Sequence, residues 1–354
     1  MRVLEVIPSL GRGGAEAALL RRATHAPADV RTTLVVGSPP TPDQAAALAS
    51  AGVDVVSPIP RGGAALRRLV AERTPDIIVT HAPAQTARIL AAVRDTPIVV
   101  VAHHEVASDR RVAAPAAAAI LRVLNPRAAL HLAVSGDAAR GPQCRGARRV
   151  VVHPLGSSID VDAVPLDAWP HGTELRWMTL SRLVWFKNIP GLVRAVARVA
   201  DDLRRSRAHL VVVGDGPERL AVEQAIASGN VADLVTLAGA VEEPSALLQR
   251  ADALLTSATS EGGPLTVFEA LLAGCRVLAT PTGVAPVALA DDPGSVLARS
   301  ASDADLAAAL LRLAALGPVP DADRPGRRER AAPWSADARD PLFYDHLRSA
   351  LGRA

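Results

Sequence analysis

Aromatic residues are nearly absent: Phe, Tyr and Trp make up 2 % of the 354 residues. Leucine, valine and alanine must therefore fill the cores, and no segment interleaves aromatics with basic residues as a nucleic-acid surface does. Lysine is scarcer still. Of the 39 basic residues, all are arginine except Lys187, which with abundant Ala, Pro and Gly reads as the coding pressure of a GC-rich genome. A lysine retained against that bias is informative. The two cysteines, Cys144 and Cys275, have no metal-ligand spacing, are too few for a disulfide framework, and read as reduced thiols. Charge of one sign is lacking too, the net +3 being too small to argue for nucleic acid as a partner. No run approaches the ~20 apolar residues of a spanning helix. Residues 1–14 carry one early arginine and a short apolar run broken by Pro8, which reads as a first strand and not a signal peptide. A cytoplasmic location is expected. Arg67-Arg68, Arg110-Arg111 and Arg148-Arg149 leave weak peripheral membrane attraction open, although scattered arginines usually form a solvated face.

What is present is alternation. The length suits two domains of roughly 150 to 200 residues. Short apolar runs at Arg2–Ile7, Thr32–Val36, Asp54–Val56, Ile77–Thr80, Ile98–Ala102, His131–Val134 and Val150–His153 read as strands. Between them lie helical patterns such as Gly14–Thr24, Asp43–Ala51 and Gly63–Glu72. Strands apolar throughout and joined by helical crossovers make a parallel sheet covered on both faces. The stretch Ile159–Thr173 reads as a linker, and the pattern restarts with strands at Leu175–Ser181, Ala208–Val213, Val235–Ala238, Ala253–Thr256 and Arg276–Ala279. The expected fold is α/β, two Rossmann-like doubly wound domains facing a central cleft. Their expected bounds are residues 1–165 and 172–330, with a last helix at 336–351 packing back on the first domain. Between these, the segment after Leu316 loses periodicity.

Chemistry concentrates in two segments of the second half. Ser260-Glu261-Gly262-Gly263-Pro264-Leu265-Thr266-Val267-Phe268-Glu269 runs into Gly274. Pro264 suits the first turn of a helix and Gly274 its end. The amides of Gly263, Leu265 and Thr266 are then unpaired at a helix N-terminus, a site for phosphate or sugar oxygens. Were Glu261 and Glu269 both helical, ~12 Å would separate their backbones, wider than the roughly 5 to 9.5 Å between the carboxyls of a glycoside hydrolase. The two look like carboxylates gripping different parts of one ligand. The plainer alternative is a dipole-stabilising charge and a solvated helix residue. The second segment, Leu180-Ser181-Arg182-Leu183-Val184-Trp185-Phe186-Lys187-Asn188, sits at the first strand-to-helix loop of the second domain. There Arg182 and Lys187 can neutralise a diphosphate without a metal ion, the first as a two-pronged donor and the second as a point charge.

In these segments the chain resembles the family 4 glycosyltransferases, retaining enzymes of the GT-B type. The resemblance begins with Gly11-Arg12-Gly13-Gly14-Ala15-Glu16. It continues through strand ends at Thr80-His81, Val134-Ser135 and His153-Pro154-Leu155-Gly156, and through Gly214-Asp215-Gly216-Pro217 and Gly239-Ala240-Val241. Glu261 to Glu269 resembles that family's E-x7-E motif, and the helix with Tyr344 that follows Trp334 resembles one that crosses back to the first domain.

The resemblance implies a hexosyltransferase that moves a sugar from a nucleotide diphosphate, a UDP-sugar ahead of a GDP-sugar, onto the hydroxyl of a small-molecule or lipid-linked acceptor. It implies no metal and no cofactor beyond that co-substrate. Arg182 and Lys187 would stabilise the departing diphosphate. Glu261 would face the donor sugar, with the amides that follow Gly262 holding its hydroxyls, and Glu269 would bind the ribose. Gly214 and Val241 would line the nucleotide site, and the amides of Gly13 and Gly14 would approach the diphosphate. A histidine after the fifth strand would lie near the transferring sugar. His103 and His104 both qualify, and the reading leans to His104. Two departures stand out: Thr282-Gly283-Val284-Ala285-Pro286-Val287 lacks the family's carboxylate, and Pro154-Leu155-Gly156-Ser157-Ser158 replaces its Asn-Gly-Val-Asp. Two other functions keep the same fold, a nucleotide-sugar 2-epimerase and an inactive binding subunit. Nothing in the sequence speaks to oligomeric state.

Overall fold

The computed structural model describes residues 1–11, 13–103, 113–159, 167–241 and 244–352. Two compact units emerge, one of residues 1–156 with 336–354, the other of residues 157–335.

In the first unit, seven strands are described: β1 Arg2–Ile7, β2 Arg31–Val36, β3 Asp54–Val56, β4 Ile77–Thr80, β5 Ile98–Ala102, β6 Leu130–Ala133 and β7 Val150–Val152. They form one sheet in the order β3-β2-β1-β4-β5-β6-β7, every pair parallel. Alternating side chains feed separate cores. Val35 of β2 joins Leu4, Val6, Ile78 and Val100, while its neighbours Leu34 and Val36 join Ile7, Leu19 and Leu48. That is the period-2 consequence of burying both faces of a sheet. The helix Ala336–Leu351 belongs to this unit, where Tyr344 donates to the carbonyl of Arg22 at 2.9 Å.

In the second unit the strands are β8 Leu175–Leu180, β9 Ala208–Val213, β10 Val235–Gly239, β11 Ala253–Thr256, β12 Arg276–Ala279 and β13 Val296–Leu297. Their order is β10-β9-β8-β11-β12-β13, again parallel throughout. Trp177, Leu210, Leu255 and Leu278 anchor the core. In both sheets the chain steps outward from the first strand and then returns to its other side. The order therefore reverses between β1 and β4 and between β8 and β11, and ligands bind such sheets outside the carboxyl ends at that reversal.

Two elements depart from the sequence expectation. Strand β13 has two residues, too few to show a period. The segment after Leu316, expected to be irregular, contains the helix Arg324–Ala331. Its inward face is built from arginine. Arg324 donates to the Ala251 carbonyl at 3.0 Å, Arg327 to those of Gly274 and Cys275 at 3.1 Å each, and Arg328 to that of Ala273 at 3.2 Å. Three of these carbonyls lie at the end of the helix Leu265–Leu272, where the helix dipole favours cations. An apolar-pattern search cannot see a helix that buries guanidinium groups.

Among the described residues no helix is long and apolar enough to cross a membrane. Both cysteines are buried and free, and burial pushes each thiol up to about 11.

Candidate active site

The carboxyl ends of β8 and β11 carry the two segments singled out by sequence. After β8 the chain passes Arg182 and makes one short turn, Trp185–Lys187, before the helix Ile189–Arg198. After β11 comes a loop of eight residues, then the helix Leu265–Leu272. Hydroxyl groups tie the loops together. Ser257 donates to the carbonyls of Lys187 at 2.9 Å and Asn188 at 3.1 Å. Thr259 donates to the Phe186 carbonyl through its amide at 2.8 Å and its hydroxyl at 3.3 Å. Behind them Thr280, after β12, donates to the Ala258 carbonyl at 2.6 Å.

That stitching brings the Lys187 ammonium against the Glu261 carboxylate in a direct ion pair, with side chains 18 % and 10 % exposed. The sequence placed these two on different parts of a ligand; here each is the other's partner. Arg182 is exposed and pairs with no carboxylate among the described residues, so its charge is available to a ligand.

The helix after Glu261 begins at Leu265, with Pro264 as its N-cap and not in the first turn as the sequence suggested. At φ −66° and ψ 105° Pro264 is extended, so it directs the chain into the helix from outside. The Val267 amide turns back to the Pro264 carbonyl at 3.1 Å. The amides of Gly263, Leu265 and Thr266 take no protein acceptor among the described residues. Together with the dipole they make an anion-favouring end beside Lys187, Glu261 and Gly262. Two turns on, the half-buried Glu269 accepts from the Ser157 hydroxyl at 3.3 Å. Ser157 is itself held by its amide to the Trp334 carbonyl at 3.1 Å, and the Trp334 ring stacks on Phe268 at 5.0 Å. Sequence reasoning saw Ser157 only as a departure from a pattern and missed Ser257 and Thr259.

Gly214 has a packing reason of its own. With φ +136°, a Cβ there would lie 1.8 Å from the Ser181 carbonyl oxygen, so only glycine lets the β9 loop close on the β8 loop. Its amide donates to the Gly239 carbonyl at 2.7 Å. Val241, two residues past β10, is partly buried.

In the first unit, Gly13 is the N-cap and Gly14 the first residue of the helix Gly14–Thr24. A Cβ on Gly13 would sit 2.2 Å from a Glu16 carboxylate oxygen. The Glu16 side chain thus occupies the space that a side chain at position 13 would need, which only glycine leaves open. His103 directly follows β5. It stacks on His81, which directly follows β4, with ring centroids 5.3 Å apart and His81 Nδ1 3.0 Å from His103 Nε2. His81 Nε2 lies 2.7 Å from the carboxylate of buried Glu5, which also pairs with buried Arg22. Burial pushes the Glu5 carboxyl up, but Arg22 and His81 outweigh it and hold the group down at about 2. Burial, reinforced by His81 and Arg22, pushes His103 down to about 3. His104 lies outside the described residues.

Residues 174–315 match the model of the glycosyl transferases group 1 family, a span that contains Arg182, Lys187, Glu261 and Glu269. No curated protein matches the sequence. Among solved structures, the chain is similar to the sucrose-phosphate synthase tll1590 of Thermosynechococcus elongatus (TM-score 0.77, 16 % identity, 100 % of each chain). It is also similar to Anabaena Alr3699/HepE in complex with UDP and glucose (TM-score 0.74, 19 % identity, 99 % of this chain and 100 % of that one). A third is the lipopolysaccharide outer core galactosyltransferase WaaB (TM-score 0.73, 15 % identity, 99 % of each). At these identities the likeness establishes the fold, the α/β GT-B class with two parallel-sheet units.

Proposed function

We propose that the chain is a retaining, metal-independent glycosyltransferase that uses a nucleotide-diphosphate sugar, a UDP-sugar first, to glycosylate a hydroxyl acceptor. The observation that carries this reading is the convergence at the β8/β11 reversal. There an exposed Arg182, a Lys187–Glu261 pair and a helix end with free amides meet on loops tied by Ser257 and Thr259. The family match over residues 174–315 and the UDP held by the Anabaena relative support it.

In this reading the diphosphate lies against Arg182 and Lys187, and the helix-end amides and Glu261 take the hydroxyls of the donor sugar. The arriving diphosphate competes for the Lys187 ammonium, and Glu261 turns to the sugar. Glu269 accepts from the ribose hydroxyls in place of Ser157. As the bond from the anomeric carbon to the phosphate oxygen breaks, charge grows on the diphosphate where the cations stand. The acceptor oxygen bonds the anomeric carbon on the same face and gives its proton to the leaving phosphate. Both cations are side chains, so the leaving charge is met without a metal ion.

The test is incubation with a panel of nucleotide sugars and hydroxyl acceptors, with and without a chelator. The account predicts chelator-resistant release of the nucleoside diphosphate and an α-linked product from an α-linked donor, read by proton NMR. A β-linked product, or activity abolished by chelator and restored by magnesium, would contradict it.

A further inference from the structure

The helix Ala113–Leu124, between β5 and β6, has no polar face. Along its sequence AAPAAAAILRVL the one polar side chain is that of Arg122. A helix apolar all round belongs in a core or against lipid, yet Ile120 is 52 % and Val123 75 % exposed. Three residues apart, they share one side of the helix, while Leu121 turns inward and is buried. The single turn Asn125–Arg127 follows directly and carries Arg127, seven residues after Ile120, close to the same side.

Around this apolar strip the charge is of one sign. Residues 119–152 hold six arginines and a single carboxylate, Asp137, which Arg140 takes at 2.6 Å. That surplus of five positive charges exceeds the net +3 of the entire chain. Arg122, Arg127, Arg145 and Arg148 are all exposed, and none pairs with a carboxylate among the described residues. Exposed arginines elsewhere are answered, Arg68 by Glu72, Arg204 by Asp233 and Arg348 by Asp29. The loop with Arg145 is packed on the helix end. Asn125 Nδ2 donates to the carbonyls of Gln143 at 2.8 Å and Arg145 at 2.9 Å. A Cβ on Gly146 would lie 2.5 Å from the Arg122 carbonyl oxygen. Strip and charges therefore form one surface.

We propose that this surface docks on an anionic lipid bilayer. Ile120 and Val123 enter among the headgroups, and the four arginines bind lipid phosphates around them on stems long enough to reach outward. Nucleic acid fits less well, because residues 119–152 contain no Phe, Tyr or Trp for a base to stack on, and phosphates have no use for the apolar strip.

Cosedimentation of the intact protein with vesicles of phosphatidylglycerol and phosphatidylcholine, against phosphatidylcholine alone, tests this. The expected result is binding to the anionic vesicles only, weakening as salt is raised. Arg122→Ser and Arg145→Ser should each lower the partition coefficient roughly fivefold. Val123→Asp, which removes apolar surface and adds a negative charge, should lower it further, and Val123→Ser repeats that test should the aspartate variant not fold. Arg204→Ser, in the second unit, should leave it unchanged. No binding to the anionic vesicles at low salt, equal binding to both vesicle types, or the same partition in the Arg122, Arg145 and Val123 variants as in the intact protein would overturn the proposal. So would a dimer that Val123→Asp dissociates, which would give the face to a second copy. The assay needs no sugar transfer, so its outcome is separate from that of the functional reading.

Discussion

Lys187 and Glu261 stand 74 residues apart in sequence and form a direct, largely buried ion pair. The pair does two jobs at once. It ties the β8 loop to the β11 loop, and it holds an ammonium beside a helix end with open amides. Arg182, on the same loop but exposed, has only the second job open to it.

The two cations should therefore separate on mutation. Lys187→Ala and Arg182→Ala are each expected to lower turnover by about 10², the usual cost of losing a transition-state donor. Lys187→Ala also leaves Glu261 unpaired and should cost the second unit roughly 1–3 kcal/mol. Arg182→Ala should leave its unfolding midpoint unchanged. Steady-state rates and urea denaturation check this; equal rates in both variants and the intact protein would remove the pair from the mechanism.

Gly214→Ala should destabilise the second unit by about 1–3 kcal/mol or more, because the new methyl would meet the Ser181 carbonyl and the backbone has positive φ. Urea midpoints read the change, and an unaltered midpoint would show that the two loops do not close as described.

Acid should unfold the first unit early. Burial holds His103 at about 3, His131 at about 4 and, with nearby Arg339, His346 and Arg22, His153 at about 3. The unfolded chain takes up these protons near pH 6.5. Between that value and about 3 it binds more protons than the native unit, so stability present above pH 6.5 is lost as pH falls. Glu5 adds to the loss below about 4.5, where the unfolded carboxyl protonates while the native one stays ionised down to about 2. Thermal midpoints should hold above about pH 6.5 and fall between there and about pH 4, and a flat profile throughout would mean these rings are solvated.

The sheets were legible because buried parallel strands carry apolar runs, which most of these strands show even where Glu5, Arg176 or His209 interrupts them. The helix Arg324–Ala331 was not, since its buried side chains are arginines answering carbonyls. At the site, spacing and the lone lysine pointed to Arg182, Lys187, Glu261 and Glu269. The Lys187–Glu261 pair and the hydroxyl ties from Ser257, Thr259 and Ser157 were hidden, because such contacts depend on where two distant loops meet. Glu5 was hidden too, because a buried carboxylate within a strand carries no periodic signal.

The central claim, a nucleoside diphosphate held at the β8/β11 reversal, is tested most directly by calorimetric titration of UDP and GDP. The titration is run into the intact protein, Arg182→Ala and Glu269→Gln. The account predicts one site in the intact protein, weakened about tenfold or more in each variant, as expected when a charge-assisted hydrogen bond worth about 1.5–3 kcal/mol is lost. No binding of either nucleotide to the intact protein, or the same affinity in all three, would contradict it.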